Sequence, residues 1–383
     1  MTTSEVVVAG VGIHPFGRFG DRTATDLGVV AARAALAEAG VTAREQIGIT
    51  FCGTAYGGVA SGHRVMSALA RSGGPIVDVE AGCASGAAAL MLAASAIRSG
   101  QHETVLVLGL EKMPAGVIRS SFFAPWQEQA GLTPAPAYFA LRAQRLMATA
   151  QLTTRDLATV VVKNRANGVA NPDAMFRTAV TVDEVLASRL ICPPLHLFML
   201  CSPNAGAAAV VLRRARPDDA GAGSVRLRAA ALRSHLPGDV LGEATPLSGL
   251  AVDDIPAAST LAATAAYEEA GLGPDDLDLV ECQDTDAARE LLAYEELGLC
   301  GPGECGRLLR DGTTAPNGAL PVNVSGGLLS KGEPLGASAL GQVVELVRQL
   351  RGEAGARQVD GARVALAHTV GRGANASVTI LTR

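Results

Sequence analysis

Pro75-Ile-Val-Asp-Val-Glu-Ala-Gly-Cys83-Ala-Ser-Gly-Ala-Ala-Ala-Leu90 joins a short β-branched run to a small-residue stretch, with a break at Gly82 and a thiol directly behind it. The pattern predicts a strand over Ile76–Val79, a tight turn and a helix over Ala84–Ser99. A cysteine at that junction faces the unpaired N–H groups and positive dipole end of the helix, which favour a thiolate. The same N–H groups suit an acyl oxyanion. The alternative is a small buried filler, since free cysteine is among the most buried residue types. A filler, however, needs neither Gly82 before it nor an Ala/Gly run behind it.

The octet Cys83-Ala-Ser-Gly-Ala-Ala-Ala-Leu90 recurs as Glu333-Pro-Leu-Gly-Ala-Ser-Ala-Leu340, again after a glycine turn, Gly326-Gly327. Glu333 therefore occupies the position equivalent to Cys83. A second pair agrees. Helical runs ending Ala37-Glu-Ala-Gly40 and Glu268-Glu-Ala-Gly271 lead into strand-like Ile47–Cys52 and Leu277–Gln283 over similar spacing. The chain reads as an internal duplication with a period near half its length, too long for a solenoid repeat. Two such halves packed about a pseudo-dyad bring both helix starts, and so Cys83 and Glu333, to one place.

The 383 residues are 48% hydrophobic but only 3% aromatic, with 44 glycines, so the core is expected to be Ala, Val and Leu with closely approaching helices. Strand-like runs at Val6–Ala9, Ile47–Cys52, Ile76–Val79 and Thr104–Leu110 alternate with helical runs at Thr25–Ala39, Val65–Ser72 and Ala84–Ser99, an α/β pattern. Residues 1–224 form the first half, with a loop or cap excursion over about 113–203 that contains helices near Ala137–Thr149 and Thr181–Arg189. Strand Ala205–Leu212 and an exposed linker, Arg214–Ser224, close that half. The second half, 225–383, opens on strand Val225–Ser234 and ends in a hairpin of Arg363–His368 and Ser377–Leu381. A net charge of −5 argues against a nucleic-acid surface. No apolar run reaches the ~18 residues of a membrane span, and Met1-Thr-Thr-Ser-Glu lacks a signal-peptide start, so a cytoplasmic protein is expected. Seven cysteines without a C-x-x-C pair and six scattered histidines indicate neither a disulfide framework nor a metal site.

Several segments together resemble one family over essentially the whole chain: Ala84-Ser-Gly86 after Cys83, Leu108-Gly-Leu-Glu-Lys112-Met113, Lys163-Asn-Arg-Ala-Asn-Gly168 with Asn171-Pro172, Asn323-Val-Ser-Gly-Gly327, and His368-Thr-Val-Gly-Arg-Gly373. The chain resembles the thiolase superfamily, and within it the sterol-carrier and lipid-transfer type. The resemblance implies a five-layered, duplicated α/β fold, usually a homodimer, that moves acyl groups from coenzyme A onto Cys83. It also implies an oxyanion hole of the Cys83 and Gly371 N–H groups, and a role for His368, for which a purely structural histidine is the alternative.

The departures are as informative. Gln283-Asp-Thr-Asp286 stands where the family has His-Asp-Cys-Phe, and Gly332-Glu-Pro334 where it has Gly-His-Pro. Two imidazoles and an auxiliary thiol are absent from those positions, so ordinary condensation of two acyl-CoA molecules is not expected. Gln283 can orient a water or donate to an oxyanion. Glu333, a carboxylate in an apolar centre, is suited to deprotonating an acceptor hydroxyl, amine or acidic carbon, or the thiol itself; a degenerate site is the alternative. Thr285, Tyr294, Met113 and Arg177 are substrate-side candidates, and Arg177 and Arg142 could meet a coenzyme A phosphate. Lys112 and Lys163, two of three lysines, read as solvated or capping residues. His63, His102, Cys300 and Cys305 need no function. The expected activity is acyl transfer from a CoA or carrier-protein thioester through a Cys83 acyl-enzyme to an O, N or C acceptor, with the thioester as substrate and no permanently bound cofactor. A retro-aldol or retro-Claisen lyase working with a small zinc-ribbon and OB-fold partner, and a non-catalytic acyl-CoA-binding scaffold, are the competing expectations.

Overall fold

The computed structural model describes residues 4–114, 125–131, 134–220, 223–236, 255–371 and 375–383. The first half runs β1 Val6–Gly17, α1 Ala24–Glu38, β2 Ile49–Gly53, α2 Ser61–Ala68, β3 Ile76–Val79, α3 Ser85–Arg98 and β4 Thr104–Lys112. The excursion follows as α4 Pro125–Gln129, α5 Ala135–Thr149, α6 Thr154–Gly168, α7 Val182–Ala187 and the short strands β5 Leu190–Cys192 and β6 Leu195–His196. Strand β7, Ala205–Arg214, returns to the sheet. The second half runs β8 Val225–Ser234, α8 Ala258–Ala270, β9 Leu279–Cys282, α9 Ala287–Glu296, α10 Cys305–Arg310, α11 Gly327–Lys331, α12 Leu335–Arg351, β10 Val364–Gly371 and β11 Asn375–Thr382.

Strand order is β3-β2-β4-β7-β1-β8-β11-β10-β9, and among the described residues the pairs Val7–Arg226 and Val8–Val225 join the two half-sheets. Read outward from that join, the halves match strand for strand: β1, β7, β4, β2, β3 against β8, β11, β10, β9. The counterpart of β3 is a single parallel bridge between Val280 and Val322. The duplication expected from the octets is therefore present in the topology.

Alternation along the strands separates the layers, because successive side chains point to opposite faces. Leu106, Leu108 and Leu110 of β4 pack outward on α1 and α2, whereas Val105 and Val107 pack inward with α3 and α12. In the second half, Ala365 and Ala367 of β10 face the same inner layer, and Leu366 faces α8 and α9. Helices α3 and α12 thus form the middle layer between two half-sheets, with helices outside each. They approach closely enough that a Cβ on Gly86 would lie 2.9 Å from the Gly336 carbonyl oxygen. Helix α12 also lies tight on the first half-sheet, where a Cβ on Gly336 would be 2.6 Å from the carbonyls of Gly53 on β2 and Leu110 on β4.

Two local expectations shift. The second helix spans Ser61–Ala68 rather than Val65–Ser72. The 214–224 linker contains a turn, Pro217–Ala220, tied down by a bidentate Arg213–Asp219 pair at 2.6 Å. Helix α6 was not anticipated, although Thr153 and Asp156 form a capping box at its start, a readable signal. The hairpin turn residues 372–374, and Phe122 and Phe123 of the excursion, lie outside the described residues. No helix among the described residues is long and apolar enough to cross a membrane.

Candidate active site

The turn that carries Cys83 is braced by its own neighbours. Glu80 accepts from the Gly82 N–H at 2.7 Å, and Ser85 Oγ accepts from Ala81 N at 2.9 Å while donating to the Gly82 carbonyl at 2.6 Å. Gly82 adopts φ +59°, a left-handed conformation that glycine enters at little cost. The end of β10 presses on the same turn: a Cβ on Gly371 would sit 2.1 Å from the Ala81 carbonyl oxygen. Cys83 itself is buried and packs with Met113 and Leu335.

Glu333 directly precedes the Pro334 cap of α12, as Cys83 precedes the Ala84 cap of α3. Its supports come from distant parts of the chain. Its N–H donates to the Ser202 carbonyl at 2.9 Å. One carboxylate oxygen accepts from Gln283 Nε2 at 2.9 Å, and the other accepts from the Cys201 thiol at 3.2 Å. Gln283 is held in turn by the Val370 N–H, which donates to its Oε1 at 2.6 Å. Cys201 is stitched in by its own N–H, which donates to the Thr285 carbonyl at 2.9 Å. Burial pushes the Cys201 thiol well up, and the neighbouring Glu333 pushes it the same way, so Cys201 is a protonated donor.

Cys83, Cys201, Gln283, Thr285 and Glu333 line one cavity of about 510 Å³. Its walls are mostly apolar, from Tyr138, Phe139, Phe176, Leu197, Phe198, Leu335 and Val370 among others. Among the described residues, five arginines reach it: Arg18, Arg142, Arg165, Arg189 and Arg289.

Behind the cavity lies a buried polar cluster that holds the loops in place. Asp284 accepts from the N–H groups of Leu328 and Leu329 at 2.6 and 3.2 Å, and burial raises its pKa. Glu290 accepts from Asn164, Asn323 and Tyr294, and pairs with Lys163 at 2.9 Å.

The structure therefore brings Cys83, Glu333, Gln283 and Thr285 together, with Gly371 against the nucleophile's turn and Met113 against Cys83. It corrects three other expectations. His368 is fully buried outside the cavity, its Nε2 3.0 Å from Ser259 Oγ on α8. Burial, helped by Arg289, lowers its pKa to about 3, so it is neutral. Its face of β10 reaches the cavity only at Val370. Tyr294 points away into the polar cluster and donates to Glu290 at 2.6 Å. Arg177 is exposed, does not line the cavity, and donates to the Val169 carbonyl at 3.3 Å. Arg142 lines the cavity but pairs with Asp286. Lys112 binds the Gly20 and Arg22 carbonyls at the surface, and Lys163 is an internal ion-pair partner. Sequence reasoning missed Cys201 and Arg165; the second lies inside the quoted Lys163–Gly168 motif, but nothing local marks either as a cavity residue.

Two family models match, the "Thiolase, N-terminal domain" over residues 6–186 and the "Thiolase C-terminal domain-like" over residues 252–383. An acetyl-CoA acetyltransferase of Methanothermobacter thermautotrophicus is 36% identical over 395 residues, covering 99% of this chain and 100% of the relative. The chain belongs to the thiolase family. Sterol carrier protein 2 of Bos taurus is also 36% identical, covering 98% of this chain and 72% of the relative. Among solved structures, the Ltp2-ChsH2(DUF35) aldolase superposes with a TM-score of 0.84 over 99% of this chain and 98% of that one, at 22% identity. In this chain the start of the second middle-layer helix carries a carboxylate, bonded to a thiol from the end of the excursion.

Proposed function

We propose that this thiolase transfers an acyl group through Cys83, with Glu333 as the base. What carries the reading is that a thiol on a braced turn before α3 and a carboxylate at the matching position before α12 line the same mostly apolar cavity. Cys83 gives its proton to Glu333 and its sulfur attacks the thioester carbonyl. The oxyanion of the tetrahedral species is held by the Cys83 and Gly371 N–H groups. Its collapse breaks the C–S bond to coenzyme A or a carrier, and the leaving thiolate takes the proton back from Glu333. Glu333 then deprotonates an O–H, N–H or acidic C–H acceptor, which attacks the acyl-enzyme and releases Cys83 as thiolate, reprotonated by Glu333. Gln283 and Cys201 each donate to Glu333 and so fix where its oxygens lie.

The test is intact-protein mass spectrometry after mixing with a panel of acyl-CoAs. One added acyl mass that Cys83→Ala abolishes supports the reading. Turnover of a substrate by Cys83→Ala overturns it in favour of carbon–carbon cleavage without an acyl-enzyme, for which a zinc-ribbon and OB-fold partner is then the component to add. A homodimer accompanies the proposal, because β3 is the open edge of the sheet and Val77 on it is 41% exposed. Sedimentation should return about twice the 38.9 kDa chain mass.

A further inference from the structure

Helix α6 lays a row of polar side chains toward the interior, and all but one have protein partners. Lys163 pairs with Glu290, Asn164 donates to Asp284 and Glu290, and Asn167 donates to the Asn323 carbonyl. Arg165 is the exception. It is 7% exposed, lines the catalytic cavity, and pairs with no carboxylate among the described residues. Its Nε is buried without a hydrogen-bond partner. Instead the guanidinium lies 4.1 Å from the ring centroid of Phe176 and 5.6 Å from that of Phe198. The other two buried cavity arginines are neutralised, Arg142 by Asp286 and Arg289 by Glu296.

Stacking on rings is a weak contact, whereas taking a charge out of water is costly unless an opposite charge repays it. Two phenyl rings therefore leave Arg165 short of a partner. Burial alone pulls its pKa down to about 10; a nearby carboxylate would act in the opposite direction. A planar guanidinium fork in this state fits a carboxylate in two-point contact.

We propose that Arg165 binds a carboxylate borne by the acyl group, so that the preferred donors are thioesters of dicarboxylic acids. The phosphates of coenzyme A are the other source of negative charge, and the binding comparison below separates the two. The acyl-transfer role of the ligand rests on the proposed function, whereas the anion site is testable by binding alone.

Rates of Cys83 acylation should be compared for succinyl-, glutaryl- and adipyl-CoA, each against its methyl half-ester. At least one acid should react on the order of 10- to 100-fold faster than its ester, as a charge-assisted hydrogen bond implies. Arg165→Met should bring the acid-to-ester rate ratio to about one, and Arg165→Lys should recover part of it. No acid preference in the wild type, or an equal loss for acids and esters in Arg165→Met, overturns the proposal. If Arg165→Met fails to fold, the wild-type pairs and Arg165→Lys decide. Calorimetry with free glutarate separates the two readings. Arg165-dependent glutarate binding without labelling of Cys83 keeps the anion site and removes acyl transfer. Labelling without acid preference or glutarate binding keeps acyl transfer and removes the anion site. Binding equal for glutarate and coenzyme A, both lost in Arg165→Met, assigns the site to phosphate and overturns the acyl-carboxylate proposal.

Discussion

The starts of α3 and α12 are the same device built twice, yet they are supported differently. The Cys83 turn is tied by Glu80 and Ser85, residues within three positions of it. Glu333 is tied by Gln283 and Cys201, 50 and 132 positions away. A nucleophile can be placed by local turn geometry, whereas a base whose oxygens must point in defined directions is placed by the fold around it. Perturbing Cys83 therefore acts first on the nucleophile, and perturbing Glu333 acts through a network.

Glu333→Gln tests that asymmetry most severely. It keeps size and removes basicity, so transfer to acceptor, followed by single-turnover kinetics, should fall by ~10²–10⁴-fold. Acylation of Cys83 should fall less. If acylation is blocked while transfer from preformed acyl-enzyme is unchanged, Glu333 serves Cys83 only. Cys201→Ala removes one hydrogen bond to the carboxylate and should slow transfer by about two- to tenfold, the worth of roughly 0.5–1.5 kcal/mol. Cys201→Ser, which retains a donor, should recover most of it; equal loss in both would mean that the thiol does more than position Glu333.

The packing of α12 against β2 and β4 gives a stability counterpart. Gly336→Ala forces a Cβ to within 2.6 Å of two backbone carbonyls and should cost about 1–3 kcal/mol, read as a lowered Tm. His368→Gln should have the smallest effect on catalysis, leaving the pH–rate profile unchanged because His368 does not line the cavity. Its signature is in folding instead. With a folded pKa of about 3 against roughly 6.5 when unfolded, the unfolded chain binds the extra proton between those values. Stability due to a neutral His368 is thus full above about pH 6.5 and declines as pH falls toward 3. Melting temperatures measured from pH 7 to 4 should fall more steeply in the wild type than in His368→Gln.

Much of the architecture was readable from patterns a few residues long. The Gly82-Cys83 turn, the small-residue helix behind it and the matching Glu333 octet each declare themselves locally, and a repeated pattern implies a repeated fold. Helix α6 is legible too, through its Thr153–Asp156 capping box, although its apolar periodicity is weak beside the polar Lys163-Asn-Arg-Ala-Asn167 run. His368 entered through the resemblance, with a purely structural histidine as the alternative, and its burial against Ser259 fits that alternative. A matched motif position does not tell how far along a strand the cavity begins.

By itself, the sequence determined the duplicated α/β frame and the placement of a thiol and a carboxylate at equivalent helix starts, because turn, cap and periodicity are properties of adjacent residues. Only the tertiary structure decided that Cys201 donates to Glu333, that Gln283 bridges it to Val370, and that Arg165 stacks on Phe176 with no carboxylate partner among the described residues. Such pairings depend on which segments pack together and on which charges remain unmatched afterwards. That balance exists only once burial has removed water from both.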